Sequence, residues 1–329
     1  MTSICITARS IDMAVSWQLL PDIQKRANKI LLHEERSNMT YNQFVQAVER
    51  KVNEGTGDDI AVCIHTAVKN NGRERKGIRL TKQGVNISPA IYLEEYYEQF
   101  RSGGTVEDAA GDILRLYEEI SFSRSWDKNN ISAYTKVKER IVYHLVNKEK
   151  NENMLTDTPY VPYLDMAAVF YVLFEVNAYG TAAMMVKNEH LKLWDVTEEE
   201  IYRQACRNTE RLLPYEFRTM KEVIAELTGS KEDSGKDVMY VLSNSIRSFG
   251  AAAVLYDGVL AYVGSCLREN YYVLPSSVHE VIIIPESEAP GKKELAAMVA
   301  EINATQVEEE DVLSDNAYYY DRKLKKLQE

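Results

Sequence analysis

Along residues 40–53 apolar side chains return every third or fourth position, at Tyr41, Phe44, Val45 and Val48. That spacing predicts an amphipathic helix, stopped at Gly55 and Gly57. The period then changes to two: Ile60, Val62 and Ile64 alternate with Ala61, Cys63 and His65, running to Asn70-Asn71-Gly72. Asn-Gly marks a hairpin turn because both central residues tolerate positive φ. Gly77–Thr81 is then the return strand, and Asn86–Leu93, with Pro89 at its edge or start, a third extended segment. Thr105 caps a further helix, with Glu107 and Asp108 in its first turn and Ile113, Leu114 and Tyr117 on its apolar face. The polar, turn-rich stretch Ser121–Asn130 separates this module, residues 39–121, from a second over residues 132–322.

The second module opens with a predicted helix over residues 132–147 and continues with a weak internal repeat. Tyr171-Val172-Leu173, Tyr240-Val241-Leu242 and Tyr272-Val273-Leu274 each mark a strand. A turn and a second apolar strand follow each, at Ala182–Val186, Ala251–Tyr256 and Val281–Ile284. Helices follow in turn over Glu198–Arg211, Gly258–Leu267 and Lys292–Ile302. Strand–strand–helix units in series predict an α+β fold: antiparallel sheets with helices packed on one face, in two modules. The short strand spacing leaves no room for the crossovers that a parallel sheet requires. Thr197-x-x-Glu200 and Thr219-x-x-Glu222 are capping boxes and set two helix starts. The expected core includes Val169, Tyr171, Leu173, Val241, Leu255, Val273, Ile282 and Ile284, with Trp194 packed under the Thr197-capped helix.

Residues 1–38 match no signal peptide, because Arg9 is the single cation of Met1–Ser10 and no apolar run of the required length follows. The segment Asp22–Glu35 has helix-compatible composition. Glu34-Glu35-Arg36-Ser37-Asn38-Met39 can be encoded as GAA GAA AGG AGT AAC ATG, which sets AAGGAG, the shape of a bacterial ribosome-binding site, just before an ATG. Met39 is therefore the expected start, with residues 1–38 a translated leader or a disordered N-terminal arm.

Charge narrows the function classes. With 39 basic and 50 acidic residues the net charge is −11, which lacks the electrostatic footprint of a nucleic-acid or anionic-membrane binder. The longest apolar run, Met166–Phe174, is about half of what a membrane-spanning helix needs. Four cysteines form no CxxC pair, which fits a reducing cytoplasm. The histidines, His33, His65, His144, His190 and His279, share no metal-ligand spacing, so neither a metal nor a cofactor is expected. His144 is expected on the amphipathic helix, as a structural residue.

Most motif fragments fail on their own chemistry. Gly229–Lys236 has five residues between its glycines where a phosphate-binding loop has four, and Asp237 replaces the magnesium-binding hydroxyl. Ser125-x-x-Lys128 and Ser314-Asp315-Asn316 are pieces of a penicillin-binding serine signature without its Lys-Thr-Gly. One constellation remains in the turn between two apolar strands: Ser276, Ser277, His279 and Glu280 supply the hydroxyl, imidazole and carboxylate of a nucleophile, base and orienter. In strand geometry His279 and Glu280 point to opposite faces, and a turn whose hydroxyls satisfy its own backbone is the structural alternative. The corresponding polar turn holds Asn244, Ser245 and Arg247, and the repeat sets the two turns at one end of the sheet as a shared groove. A basic hairpin with Arg73, Arg75 and Lys76 offers a surface for an acidic partner, and Tyr318-Tyr319-Tyr320 a tyrosine-rich one.

Four strings carry a family resemblance: Lys69-Asn70-Asn71-Gly72, Asn86 to Leu93, Leu274 to Val281, and Asp311-Val312-Leu313-Ser314-Asp315. From Met39 to residue 322 the chain resembles a bacterial family known as domain of unknown function 5688. A fainter likeness, through Trp194, Glu200, Ala205, Asn208 and Leu213-Pro214, joins residues 164–285 to domain of unknown function 1444. Neither family brings an activity or catalytic residues; the resemblance implies a cytoplasmic protein of Gram-positive bacteria. A non-enzymatic binding or regulatory protein, with another protein among its expected partners, is the function these features favour. The alternative is a serine-hydrolase-like enzyme using Ser276 or Ser277 with His279.

Overall fold

The computed structural model describes residues 39–82, 90–121, 131–177, 180–229 and 238–328. The expected leader 1–38, the module boundary at 122–130, the start of the third extended segment at 86–89, Ser125, Lys128 and the loop 230–236 lie outside the described residues. Two compact units divide the rest: residues 39–66 with 75–121, and residues 67–74 with 131–328.

In the first unit, α1 (Tyr41–Gly55) starts at a capping box. The Thr40 hydroxyl accepts the Gln43 N–H at 3.4 Å, and Gln43 Oε1 accepts the Thr40 N–H at 2.8 Å. Its apolar stripe buries Phe44, Val45, Val48 and Val52. Strands β1 (Ile60–Val68), β2 (Glu74–Lys82) and β3 (Ala90–Tyr92) form one sheet in that order. The connecting turn takes positive φ at Asn71 (56°) and Gly72 (73°), as Asn-Gly predicts. An unforeseen helix, α2 (Glu94–Arg101), follows; eight residues with one buried anchor, Phe100, are too short to show a period. In α3 (Val106–Ser121) the Thr105 hydroxyl accepts the Asp108 N–H at 3.0 Å, and Ile113 reaches the shared core with Ile78, Leu80 and Leu93.

The second unit departs from its predicted start. Residues 134–140 give only a helical turn and a 3-10 turn, and Ile141–Asn147 is a strand, β4, rather than the end of a helix. All seven β4 residues are buried, His144 among them. A strand buried on both faces loses its alternation, so its apolar run imitates a helix segment. β4 pairs along the first half of the long β6 (Met166–Asn177). On the other side of β6, β5 (Tyr160–Tyr163) and β7 (Gly180–Met185) lie end to end.

A short helix, α4 (Asn188–Trp194), precedes α5 (Glu198–Leu212), whose Thr197 cap is as predicted. Trp194 is 6% exposed, in the same buried cluster as Ile201 and Ala205 of α5, and its indole N–H donates to the Ile131 carbonyl at 2.7 Å. β8 (Tyr215–Thr219), α6 (Met220–Thr228, capped by Thr219) and β9 (Tyr240–Asn244) come next. The second apolar strand expected at Ala251–Tyr256 is instead a 3-10 helix over Gly250–Leu255. Its first position requires glycine: a Cβ on Gly250 would stand 2.2 Å from Ser243 Oγ and 2.6 Å from the His279 carbonyl. The repeat therefore holds at its first and third copies and fails at the second.

The chain continues through α7 (Val259–Leu267), β10 (Tyr271–Leu274), β11 (Val281–Pro285), α8 (Lys292–Thr305), β12 (Tyr318–Asp321) and β13 (Lys326–Gln328). Strands run β13-β12-β10-β11-β9-β8 across one antiparallel sheet. The fold is α+β. Alternation along β11 sends Val281 and Ile283 into the main core, Ile284 beneath Leu295 and Val299 of α8, and Ile282 to a groove. Of the expected core, Val169, Leu173, Val241, Val273 and Ile284 are buried, whereas Tyr171, Leu255 and Ile282 are half-buried. The tyrosine-rich surface is corrected too: β12 is an inner strand, and Tyr318 and Tyr320 are buried in the core. No helix among the described residues is long and apolar enough to cross a membrane.

Candidate functional site

Pro275 lacks the N–H that would continue β10, and the chain turns there over residues 275–280. The segment 311–314 clamps the turn by backbone bonds. Leu313 N–H donates to Ser276 O (3.0 Å), Ser314 N–H to Pro275 O (2.9 Å) and Val278 N–H to Asp311 O (2.8 Å). Ser277 is buried, and its hydroxyl accepts the His279 N–H at 3.0 Å. The Ser243 hydroxyl donates to the His279 carbonyl at 2.7 Å. These serines satisfy backbone groups, as turn hydroxyls do.

Both ring nitrogens of His279 are engaged. Nδ1 accepts the Phe249 N–H at 3.2 Å, and Nε2 lies 3.1 Å from the Asp311 carboxylate. Asp311 raises the His279 pKa above the ordinary imidazole value, against the opposing effect of burial. The Phe249 ring lies parallel to His144 at 4.2 Å, and His144 stacks on Tyr171 at 4.4 Å. Burial pushes His144 down to about 3, with the His279 charge adding to the effect. The geometry brings Ser277, His279 and Glu280 into one turn, but it sets neither serine hydroxyl against the imidazole.

A polar seam extends from this turn. Asn71 Nδ2 donates to the carbonyls of Glu309 (2.7 Å) and Val312 (2.8 Å), and its N–H to Asn151 Oδ1 (2.9 Å). Asn147 Nδ2 holds the Leu313 carbonyl at 2.9 Å. Asp165 accepts the hydroxyls of Ser314 (2.7 Å) and Tyr318 and the Asn316 amide (3.0 Å). The Ser314-Asp315-Asn316 fragment is thus part of a structural network in which Ser314 is buried and Asp315 and Asn316 are exposed.

Glu280 turns the other way. A cavity of about 260 Å³ lies between α6 and the outer face of β8, β9 and β11. Met220, Val223 and Leu227 line it from α6, and Val241 and Ile282 from the sheet; Glu216, Arg218, Arg247 and Glu280 supply its charges. The turn carrying Arg247 is built by buried Asn244, whose Oδ1 accepts the N–H groups of Ile246 (3.2 Å) and Ser248 (3.3 Å). It sets Arg247 at φ 51°, a left-handed conformation uncommon for arginine. Arg247 Nη2 reaches both Glu226 oxygens at 2.8 Å, and Arg218 Nη1 reaches Glu226 at 2.6 Å. The hydrogen bonds from these two guanidiniums hold the exposed Glu226 carboxyl at about 2. Glu280 is half-buried, with no Lys, Arg or His within 4.0 Å among the described residues. Burial raises its pKa above the ordinary carboxylate value, while the His279 charge and a hydrogen bond from Ser277 act against that rise.

The remaining candidates lie elsewhere. Ser245 is exposed, with its N–H on the Pro214 carbonyl at 2.8 Å. Arg73 pairs with Glu309 and Arg75 with Glu95, each at 3.4 Å, and Lys76 Nζ donates to Asn42 Oδ1 at 2.5 Å. The hairpin cations are thus engaged within the chain. Asp311, Arg218 and Glu226 were not legible as site residues, because each acts across long sequence separation or between a strand and a helix.

Three of the four resemblance strings, 69–72, 274–281 and 311–315, meet along this seam. The model of a family described as a family of unknown function, DUF5688, matches residues 41–322. The chain belongs to that family. No curated protein and no solved structure matches it. In this DUF5688 member the described residues hold no group of three His, Cys, Asp or Glu side chains placed to share a metal ion.

Proposed function

We propose that this DUF5688 protein is a non-enzymatic binding protein that receives an amphipathic ligand in the groove between α6 and the six-stranded sheet. The observation that carries this reading is the groove's make-up: an apolar lining from two elements, with charged side chains fixed around it by the Arg218–Glu226–Arg247 network. Ligand sites combine an apolar lining with a few placed polar groups in this way. The engaged ring of His279 supports the same reading, since a serine nucleophile needs a base on its hydroxyl.

Methyl-resolved NMR during titration with small amphiphiles tests it. Shifts are expected to concentrate on Val223, Leu227, Val241 and Ile282 and to vanish in Val223→Trp, which fills the cavity. Absence of shifts at those methyls with every amphiphile would overturn it. So would stoichiometric fluorophosphonate labelling of Ser276 or Ser277 that is suppressed in His279→Ala.

A further inference from the structure

Two carboxylates and two guanidiniums line the groove, Glu216 and Glu280 with Arg218 and Arg247. Both guanidiniums are taken by Glu226 outside that lining, with Glu216 a longer contact of Arg247 at 3.9 Å. Glu280 has no cation within salt-bridge reach among the described residues, and it stands beside Val241 and Ile282 on an apolar lining. The Ser277 hydroxyl and the more distant His279 ring act on it, but a carboxylate held against apolar surface with no cation in contact loses hydration, and an incoming cation supplies a direct partner. An anionic ligand would have to displace Glu226 from two guanidiniums, and a neutral one would bury Glu280 further without pairing it.

We propose that the groove binds a protonated amine carried on an apolar chain, with the ammonium on Glu280 and the hydrocarbon along Val223, Val241 and Ile282. This rests on the groove being a binding site, as proposed above. It narrows the ligand class to alkylammonium-type cations.

Calorimetry and methyl NMR on the full chain, with hexylammonium, hexan-1-ol and hexanoate as probes, test it. Hexylammonium is expected to bind about tenfold more tightly than hexanol, the scale of one partly desolvated charge pair, and hexanoate more weakly still. Glu280→Gln should bring hexylammonium down to the hexanol level. Salt dependence needs no variant: hexylammonium affinity should fall as ionic strength rises. Equal or better binding of hexanol or hexanoate at the groove methyls would overturn the charge inference and leave the binding reading standing. A preference unchanged in Glu280→Gln, or an affinity indifferent to salt, would do the same. If no probe moves those methyls, both proposals fail.

Discussion

His279 and Glu280 are neighbours in one turn, yet they belong to two regions built on different principles. His279 faces the polar seam, where ring nitrogens and serine hydroxyls meet partners and Asn71, Asn147 and Asp165 fasten the segment 309–318. Glu280 faces the groove, where the arginines are held by Glu226 and its own carboxylate lacks a cation among the described residues. The seam holds more of the residue types associated with catalysis, but the bonds of its serines, His279 and Asp165 make these groups scaffold, although Nδ1 of the neighbouring His144 is buried without a hydrogen-bond partner among the described residues. The groove is poorer in such residues, and its Glu280 carboxylate has no cation in contact among the described residues.

Substitutions sharpen that contrast. Trp194→Ala, outside both regions, sets the upper end of the stability scale at about 3–5 kcal/mol, measured by denaturant unfolding. A loss below about 1 kcal/mol would mean that the indole contributes little to the core.

His144 gives the seam its acid sensitivity. Its folded pKa of about 3 lies below the ordinary 6.5. As pH falls through 6.5 the unfolded chain takes up a proton that the folded chain refuses, so stability drains between 6.5 and about 3. The loss amounts to about 3 kcal/mol by roughly pH 4. His144→Phe keeps the stack between Tyr171 and Phe249 and should flatten that acid limb; an unchanged limb would assign it elsewhere. His279 has the opposite slope. Its raised pKa contributes stability that is full below 6.5 and lost as pH rises through the folded value.

Asp165→Ala leaves Ser314, Asn316 and Tyr318 without their shared acceptor and should cost about 2–3 kcal/mol in unfolding free energy. Glu280→Gln should change stability by no more than about 0.5 kcal/mol, or raise it, since a half-buried charge is removed and the shape kept. A groove substitution costlier than Asp165→Ala would reverse the assignment of scaffold and site.

How far the sequence reached follows from the physics of each element. The apolar period was sufficient at α1, and caps at α3, α5 and α6, because Thr105, Thr197 and Thr219 act on residues three positions away. They were insufficient at β4, whose two buried faces erase alternation, and at Gly250–Leu255, where an apolar run buried from Gly250 to Val254 carries no period that separates strand from 3-10 helix. The shared groove expected from the repeat was not readable in this form: the repeat fails at its second copy, and the groove is lined by Arg247 and Glu280 of those turns together with α6. The pairing of His279 with Asp311, 32 residues on, and the Arg218–Glu226–Arg247 network were not readable either, because no local rule links such positions.

The contrast between the two neighbours is tested most directly by hexylammonium calorimetry on His279→Gln and Glu280→Gln side by side, with the melting temperature of each. The account predicts that Glu280→Gln loses about tenfold in hexylammonium affinity at unchanged melting temperature, whereas His279→Gln melts earlier and binds as the parent does. Binding lost in His279→Gln and kept in Glu280→Gln would contradict it.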